Sequence, residues 1–256
     1  MNSPETNTLV FHRLRFVLVE TSRAGNIGAA ARAMKTMGFS DLVLVNPRFP
    51  DALADPEAIA FASGAQDVLE RARIVGSMAE ALEGCNFAAA VSARLREFSP
   101  PVWTPRAFAG HVAATPTLNA ALIFGNERFG LPNHIVETSN VLINIPANPD
   151  YSSLNLAQAA QVLAYECRQA AELPPDAGPA KSGPVGFHGD AASLEQIEGM
   201  FNHLEQALVA IHFLDASNPK KLMPRLRRLF SRTQLETEEV NILRGIARQI
   251  LHARER

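Results

Sequence analysis

The chain has 256 residues, is 47% hydrophobic and carries a formal charge of −2 at pH 7, which fits one large α/β domain or a domain of about 160 residues beside a smaller one. Cys85 and Cys167 are too few for a disulfide framework or a zinc site, so we expect two buried, small apolar side chains and no metal. The N-terminus lacks the basic start and apolar core of a signal peptide, and no apolar run approaches the roughly 20 residues of a membrane helix, so we expect a soluble cytoplasmic protein without membrane contacts.

Short runs of β-branched and apolar residues recur along the chain up to residue 147. They are continuous rather than alternating, as expected for strands that are covered on both faces of a sheet. Helical patterns separate the runs, and this alternation predicts an α/β fold with a parallel sheet flanked by helices. The predicted strands are 15–20, 41–47, 87–93, 120–127 and 141–147.

Several predicted helices carry signals at their ends. Gly38 stands where the first helix ends, and Asp55 before Pro56 is typical of an N-cap followed by the first helical residue. Ser153 is placed to cap a helix that begins near Leu154. The helices predicted before that one are 26–38, 55–65, 77–84 and 105–115.

The strand–helix pattern stops near Leu173. Residues 173–190 hold four prolines and four glycines, which is typical of a linker. Amphipathic helical patterns follow and predict a small all-α extension. We therefore predict a catalytic domain at 1–172, a flexible linker at 173–190 and a helical domain at 191–256.

Charge is uneven along the chain. Residues 219–256 contain ten Lys and Arg against four Asp and Glu, a net of +6, whereas residues 1–218 contain 14 against 22, a net of −8. A basic tail on an acidic body suggests a polyanionic partner. On charge alone, a solvated helix face explains the tail equally well.

Four segments with many polar residues follow predicted strands, where ligands bind in open parallel sheets. The first, 20–35, has neither the G-x-G-x-x-G pattern nor a later ribose-binding acid, so a dinucleotide site is disfavoured. It contains Asn26, which could serve as a helix cap, and Arg32, which could be a surface residue of its helix.

The other three segments have structural explanations as well. Ser92 and Ala93 leave room for a ligand, but small residues also serve tight packing. The segment "FGNERFGLPN" (124–133) could be a ligand-binding loop, but taken by itself a surface turn is the favoured interpretation. In "NPDYSSLNLA" (148–157), one serine is explained as a helix cap, but the remaining polar residues have no structural task.

Together, "NIGAAARAMKTMG" (26–38), "FGNERFGL" (124–131) and "INIPANPDYSSLNLAQAAQVLAYE" (143–166) resemble the three motifs of the SPOUT class of RNA methyltransferases. Within that class, the resemblance is to bacterial enzymes that methylate the ribose 2′-hydroxyl of a tRNA nucleotide. It covers nearly the whole chain, including "HLEQAL", "KLMPRLRRLFSR" and "NILRGI" in the tail. One departure is "SPPVWTP" (99–105), where the class has a more compact Pro-Trp-Pro.

The resemblance implies a parallel sheet whose C-terminal part forms a deep trefoil knot (SPOUT), a homodimer, and 2′-O-methylation of nucleotide 32 in the tRNA anticodon loop with S-adenosyl-L-methionine as cofactor. It also assigns residues. The implied cofactor-binding residues are Val91, Ser92, Ala93, Gly125, Ile145, Ser152, Ser153 and Leu154. The implied catalytic residues are Arg32, Asn26 and Glu127, and the predicted RNA contacts are Arg23, Lys220, Lys221, Arg225, Arg227 and Arg228.

Arg32 is the central catalytic candidate under this resemblance. An arginine guanidinium is a poor proton acceptor, so we expect Arg32 to support the developing oxyanion electrostatically rather than to accept the proton. Three alternatives are left open: a nucleotide-dependent oxidoreductase, a non-catalytic RNA-binding protein on the same scaffold, and methylation of ribosomal RNA by the same fold.

Overall fold

The computed structural model describes residues 8–96, 99–172 and 189–254. Seven parallel strands form one sheet in the order β3-β2-β1-β6-β4-β7-β5. All five predicted strands are present, which confirms the predicted α/β sheet. The strands are β1 Leu14–Val19, β2 Asp41–Val45, β3 Arg73–Val75, β4 Phe87–Val91, β5 Val102–Trp103, β6 Ala120–Phe124 and β7 Val141–Ile143.

Two strands, β3 and β5, were not predicted. They contain three and two residues, are partly exposed and lie at the two edges of the sheet, so they carry no continuous apolar run. Strand β5 falls within 99–105, where the sequence departs from the family pattern. Trp103 there stacks against Phe87, with ring centroids 6.0 Å apart.

Helices cover both faces of the sheet. Alternate residues of β1 enter two separate cores, with Phe16 and Leu18 in one and Val17 and Val19 in the other. The sheet is therefore buried on both sides, which explains the continuous apolar runs. The helices are α1 Ala24–Thr36, α2 Pro56–Ala62, α3 Gln66–Arg71, α4 Met78–Ala81, α5 Pro105–Ala114, α6 Asn133–Thr138, α7 Leu156–Glu172, α8 Leu194–Ala210, α9 Leu222–Phe230 and α10 Thr237–Arg254.

The first two helices approach each other through a glycine. A Cβ added to Gly28 would lie 2.0 Å from the carbonyl oxygen of Ala58, so only glycine allows this separation of α1 and α2. The predicted end signals of these helices are confirmed. Gly38 follows α1 with a φ of +90°, and Asp55 accepts a hydrogen bond from the backbone N–H of Glu57.

The predicted start of α7 was wrong. The helix begins at Leu156 rather than near Leu154, and its cap is Asn155 rather than Ser153. Asn155 Oδ1 accepts a bond from the Ala157 N–H (2.9 Å), and the backbone N–H of Asn155 donates to Gln158 Oε1 (3.2 Å). These two bonds place the N-cap at Asn155 rather than at the serine two residues earlier.

The C-terminal helices form a small core of their own. Phe201 from α8, Met223 from α9 and Val240 from α10 belong to it. This core lies against the sheet domain, because Leu194 packs on the second core of the sheet and its N–H donates to the Cys85 carbonyl (3.3 Å). Residues 173–188 of the predicted linker lie outside the described residues.

Both cysteines are free and buried, as predicted. Burial raises the pKa of each thiol, most strongly at Cys167. In the described part of the chain, no helix combines the length and the apolar content needed to cross a bilayer.

Candidate active site

A cavity of about 460 Å³ opens at the carboxyl ends of β1, β4, β6 and β7. The segments that follow these strands line it, at the edge of the sheet where parallel α/β proteins bind ligands. Its volume lies within the range of about 300–1,000 Å³ that small-molecule sites have. The lining residues fall within 22–26, 91–96, 124–130, 145 and 151–159.

All eight residues that were predicted to bind the cofactor line this cavity. The loops that carry them are fixed by hydrogen bonds: the Ser92 N–H donates to the Ile143 carbonyl (3.0 Å), and Asn144 Nδ2 donates to the Ser92 carbonyl (3.1 Å). A Cβ added to Gly125 would lie 2.3 Å from the carbonyl carbon of Gly130, so glycine is required for the loop to fold back on itself. The eight residues are Val91, Ser92, Ala93, Gly125, Ile145, Ser152, Ser153 and Leu154.

A hydrogen-bond network centred on Glu127 joins three segments of the cavity wall. Glu127 Oε2 accepts bonds from the Ser22 N–H (2.9 Å) and from Ser22 Oγ (2.8 Å), and Oε1 accepts a bond from Asn26 Nδ2 (2.7 Å). Asn155 Nδ2 in turn donates to Asn26 Oδ1 (2.9 Å). The side chain of Asn26 is therefore held from two sides, and it does not act as a helix cap.

The network also sets the charge of Glu127. Burial alone raises the pKa of this carboxyl, but the hydrogen bonds from Asn26 and Ser22 outweigh burial and lower the pKa below its ordinary value. The carboxylate lies at the N-terminus of α1, where the helix dipole also favours a negative charge. An ionised carboxylate that accepts three hydrogen bonds is suited to position Asn26 rather than to exchange protons.

Four arginines line the same cavity, and Glu127 is the only acidic residue among the lining residues that the structure describes. Four guanidinium groups against one carboxylate give the wall an excess of positive charge. Arg96 is the most enclosed of the four: it donates to the Leu131 carbonyl, and burial lowers the pKa of its guanidinium. The wall is therefore suited to an anionic ligand. The arginines are Arg23, Arg94, Arg96 and Arg128.

Arg32 is not brought into the cavity by the single chain. It is exposed on α1 and is absent from the cavity wall. It follows Asn26 by six residues, which places it about 9 Å further along the helix and about 240° around it. Across the described residues, its side chain has no hydrogen-bond or ion-pair partner.

The predicted RNA-binding residues of the tail differ in their surroundings. Arg227 on α9 is tied down, because its guanidinium makes two bonds to Glu198 (2.6 and 2.7 Å) and lies 4.5 Å from the centre of the Phe201 ring. This arginine holds α9 against α8. The other four tail residues are exposed: Lys220, Lys221, Arg225 and Arg228.

Several residues of the site were missed by sequence reasoning. Ser22, Asn144 and the three arginines at 94, 96 and 128 were not assigned a role. Asn155 was noted as a polar residue without a task; its two hydrogen-bonding roles are visible only once α1 and α7 are packed together. Phe129, at the tip of the 124–131 segment, gave no signal at all.

Comparison with known proteins identifies relatives along nearly the whole chain. The model of the SpoU rRNA methylase family matches residues 13–165, and the model of the tRNA methyltransferase TrmJ C-terminal domain matches residues 195–256. A tRNA (cytidine/uridine-2′-O-)-methyltransferase TrmJ of Salmonella typhimurium is 43% identical over 250 residues, which is 94% of this chain and 97% of the relative. The protein of the same name from Klebsiella pneumoniae is 43% identical over 244 residues, again 94% of this chain and 97% of the relative.

Solved structures agree with these relatives. The crystal structure of TrmJ from Z. mobilis ZM4 superposes with a TM-score of 0.77 at 32% identity and covers 92% of this chain and 98% of its own. A probable methyltransferase from Bordetella pertussis Tohama I superposes with a TM-score of 0.60 at 49% identity and covers 64% of this chain and 99% of its own.

Proposed function

We propose a function on the premise that this chain belongs to the SpoU rRNA methylase family and carries a TrmJ-type C-terminal domain. The proposed function is the transfer of a methyl group to the ribose 2′-oxygen of a tRNA pyrimidine. The finer proposal is that nucleotide 32 of the anticodon loop is methylated, with S-adenosyl-L-methionine as the donor, in the cytoplasm. The observation that carries the proposal is the Glu127 network, which draws the three motif segments around one cavity.

The apolar part of the cavity suits the adenosine of S-adenosylmethionine, whereas the arginines of the wall suit the phosphates of RNA. Val91, Ile145 and Leu154 offer apolar contacts for the faces of an adenine ring, and the hydroxyls of Ser152 and Ser153 offer polar contacts beside them. When bound, the cofactor supplies a methyl group on a positively charged sulfur, which is already activated for transfer. What this chain must contribute is alignment, which is worth about 7–11 kcal/mol when the geometry is close to that of attack.

The acceptor hydroxyl must also be made more reactive. A ribose 2′-OH is a weak nucleophile, and the negative charge that develops on its oxygen is stabilised by a nearby cation or hydrogen-bond donor. In our proposal Asn26, oriented by Glu127, holds the ribose or its phosphate. Arg32 supplies the positive charge.

Arg32 reaches the acceptor only across a subunit interface in this proposal. Within one chain it is exposed and outside the cavity wall, so a second copy must bring its own Arg32 to the site. We therefore propose a homodimer as the active form. An arginine guanidinium has N–H donors and no acceptor, so Arg32 is not proposed to take the hydroxyl proton.

The tRNA is proposed to bind across both domains. Arg23 lies at the mouth of the cavity, and Lys220, Lys221, Arg225 and Arg228 are exposed on or just before α9. Cations of this kind bind phosphates and contribute affinity without reading sequence. Arg227 is not included, because Glu198 already neutralises it.

The test is mass spectrometry of modified nucleosides. Purified protein, S-adenosylmethionine and unmodified tRNA should yield one 2′-O-methylated cytidine or uridine at position 32, and tRNA from a deletion strain should lack that nucleotide. A methylated nucleotide elsewhere in tRNA would refute the position. Methylation of ribosomal RNA alone would favour the alternative substrate, and absence of any transfer would refute the enzyme.

A further inference from the structure

An exposed phenyl ring stands on the wall of the candidate active site. Phe129 is 77% exposed, more than most of the other exposed large apolar side chains in the described residues, and it lines the cavity together with Gly125 and Arg128. An isolated exposed phenylalanine needs no explanation. This ring does, because it lies where the substrate must enter.

The loop that carries the ring is rigidly built. Asn126 Oδ1 accepts bonds from the N–H groups of Arg128 (2.8 Å) and Phe129 (3.2 Å), while Asn126 Nδ2 donates to the Glu20 carbonyl (2.6 Å). The Gly130 N–H closes the turn on the Asn126 carbonyl (2.8 Å). A ring on such a loop binds a partner with little loss of conformational entropy.

The charges around the ring select the kind of partner. Arg23, Arg94, Arg96 and Arg128 share the wall with Phe129, and the single acid there is already saturated by three donors. A second copy that met this wall with its own equivalent wall would oppose arginines with arginines, whereas the dimer proposed above brings Arg32 of α1 to the site. An apolar peptide would leave the charges of the arginines unmatched. A polyanion that also carries flat aromatic groups satisfies both features, and RNA is that partner.

We propose that Phe129 is a stacking platform for the base of the nucleotide that is methylated, with Arg128 and Arg94 contacting the phosphates beside it. This inference rests on the proposed tRNA methyltransferase function. Stacking on an aromatic ring tolerates different bases because each base has a π-face, so one platform accepts both cytidine and uridine.

The first experiment is a double-mutant cycle between protein and RNA. Phe129→Ala and Phe129→Tyr are compared with the wild type on an intact tRNA and on a tRNA whose target nucleotide keeps its ribose but lacks its base. We expect Phe129→Ala to lower kcat/KM on intact tRNA about 5- to 150-fold, which corresponds to the stacking energy of one base, and Phe129→Tyr to restore most of it. On the abasic tRNA, all three proteins should have equal kcat/KM.

Three results would overturn the proposal. The first is an equal loss of kcat/KM for Phe129→Ala on both tRNAs. The second is a weaker affinity of that variant for S-adenosylmethionine in calorimetry, and the third is a change in its oligomeric state in sedimentation. Each result would mean that the ring contacts something other than the base. Phe61→Ala is the matched control, because Phe61 on α2 is 54% exposed and lies outside the cavity wall. It should behave as wild type.

A binding measurement separates failure of this inference from failure of the proposed function. In Phe129→Trp, intact tRNA should quench the emission of the new tryptophan and abasic tRNA should not. The natural Trp103 gives a constant background because it packs against Phe87 and His111. If intact tRNA quenches Phe129→Trp but the wild type transfers no methyl group, the proposed enzymatic function is refuted and the stacking role of position 129 is kept. If the wild type transfers methyl groups but intact tRNA does not quench Phe129→Trp, only the stacking role is refuted.

Discussion

Replacement of Glu127 by glutamine tests the network that organises the site. The side chain keeps its shape but exchanges one acceptor oxygen for an amide donor. If the remaining oxygen faces Ser22, the new amide faces Asn26 Nδ2, and two donors meet. Asn26 cannot simply reverse its amide, because its Oδ1 already accepts the bond from Asn155. At least one of the three hydrogen bonds to position 127 must be lost.

The expected loss of stability follows from the hydrogen bond being one to a charged group. A hydrogen bond to a charged group contributes about 1.5–3 kcal/mol. Because Glu127 is only half buried, the lower part of that range applies, and we expect the free energy of unfolding to fall by about 1–2 kcal/mol. For a chain of this size the melting temperature should drop by about 2–8 °C. Turnover should fall as well, since Asn26, which we propose holds the ribose or its phosphate, loses its orientation.

The stability difference between wild type and Glu127→Gln should depend on pH in a predictable direction. The pKa of Glu127 is lowered in the folded state from an ordinary value of 4.5. The carboxylate therefore contributes its full stability above about pH 4.5, and that contribution disappears as the pH falls through the folded-state pKa. The stability gap between wild type and Glu127→Gln should be constant from pH 7 to about pH 5 and should narrow below that.

Urea denaturation at pH 7, 5 and 4 measures this gap. Glu70→Gln is the control, because Glu70 is exposed and its side chain makes no hydrogen bond to any described residue. Equal urea midpoints for wild type and Glu127→Gln at pH 7 would refute the reasoning. So would a gap that widens as the solution becomes more acidic.

Three further changes have clear expected outcomes. Gly28→Ala places a methyl group 2.0 Å from a backbone oxygen of α2, so it should lower the unfolding free energy by about 3 kcal/mol or more in urea titrations. The control is Gly110→Ala on α5, which has open space around it and should be neutral or slightly stabilising. Arg32→Ala should fold and bind S-adenosylmethionine normally in calorimetry yet lose nearly all methyl transfer; wild-type turnover would remove Arg32 from the mechanism. Arg227→Ala breaks the pair with Glu198 and should destabilise the helical domain by about 1–2 kcal/mol without changing the salt dependence of tRNA binding; a reduced salt slope would identify this arginine as a phosphate contact instead.

Much of the fold was predictable because its elements are long and buried. The five strands with continuous apolar runs were found, and so was α1 with Gly38 at its end. Edge strands β3 and β5 were missed, since a strand of two or three exposed residues leaves no periodic signal. The start of α7 was misplaced because a serine and an asparagine both make good caps, and only Gln158 decides between them.

The candidate site was predictable only in part, and for a different reason. Its backbone loops are built from short motifs that a resemblance locates, and the structure brings the eight predicted residues to one cavity. Partners that are far apart in sequence are not visible in this way. Glu127 meets Ser22 across 105 residues, and Arg227 meets Glu198 across 29, so a count of charges assigns Arg227 to solvent when it is in fact paired.

The order of the strands has a consequence for synthesis on the ribosome. Strand β4 pairs with β6 and β7, and β5 pairs with β7, so both strands are translated before their partners. Until residue 124 has left the exit tunnel, the apolar strand β4 has both edges unpaired, and one edge stays unpaired until residue 143 has followed, which favours association between nascent chains. Slow elongation or ribosome stalling within 104–140 should therefore reduce the soluble yield more than the same delay after residue 143.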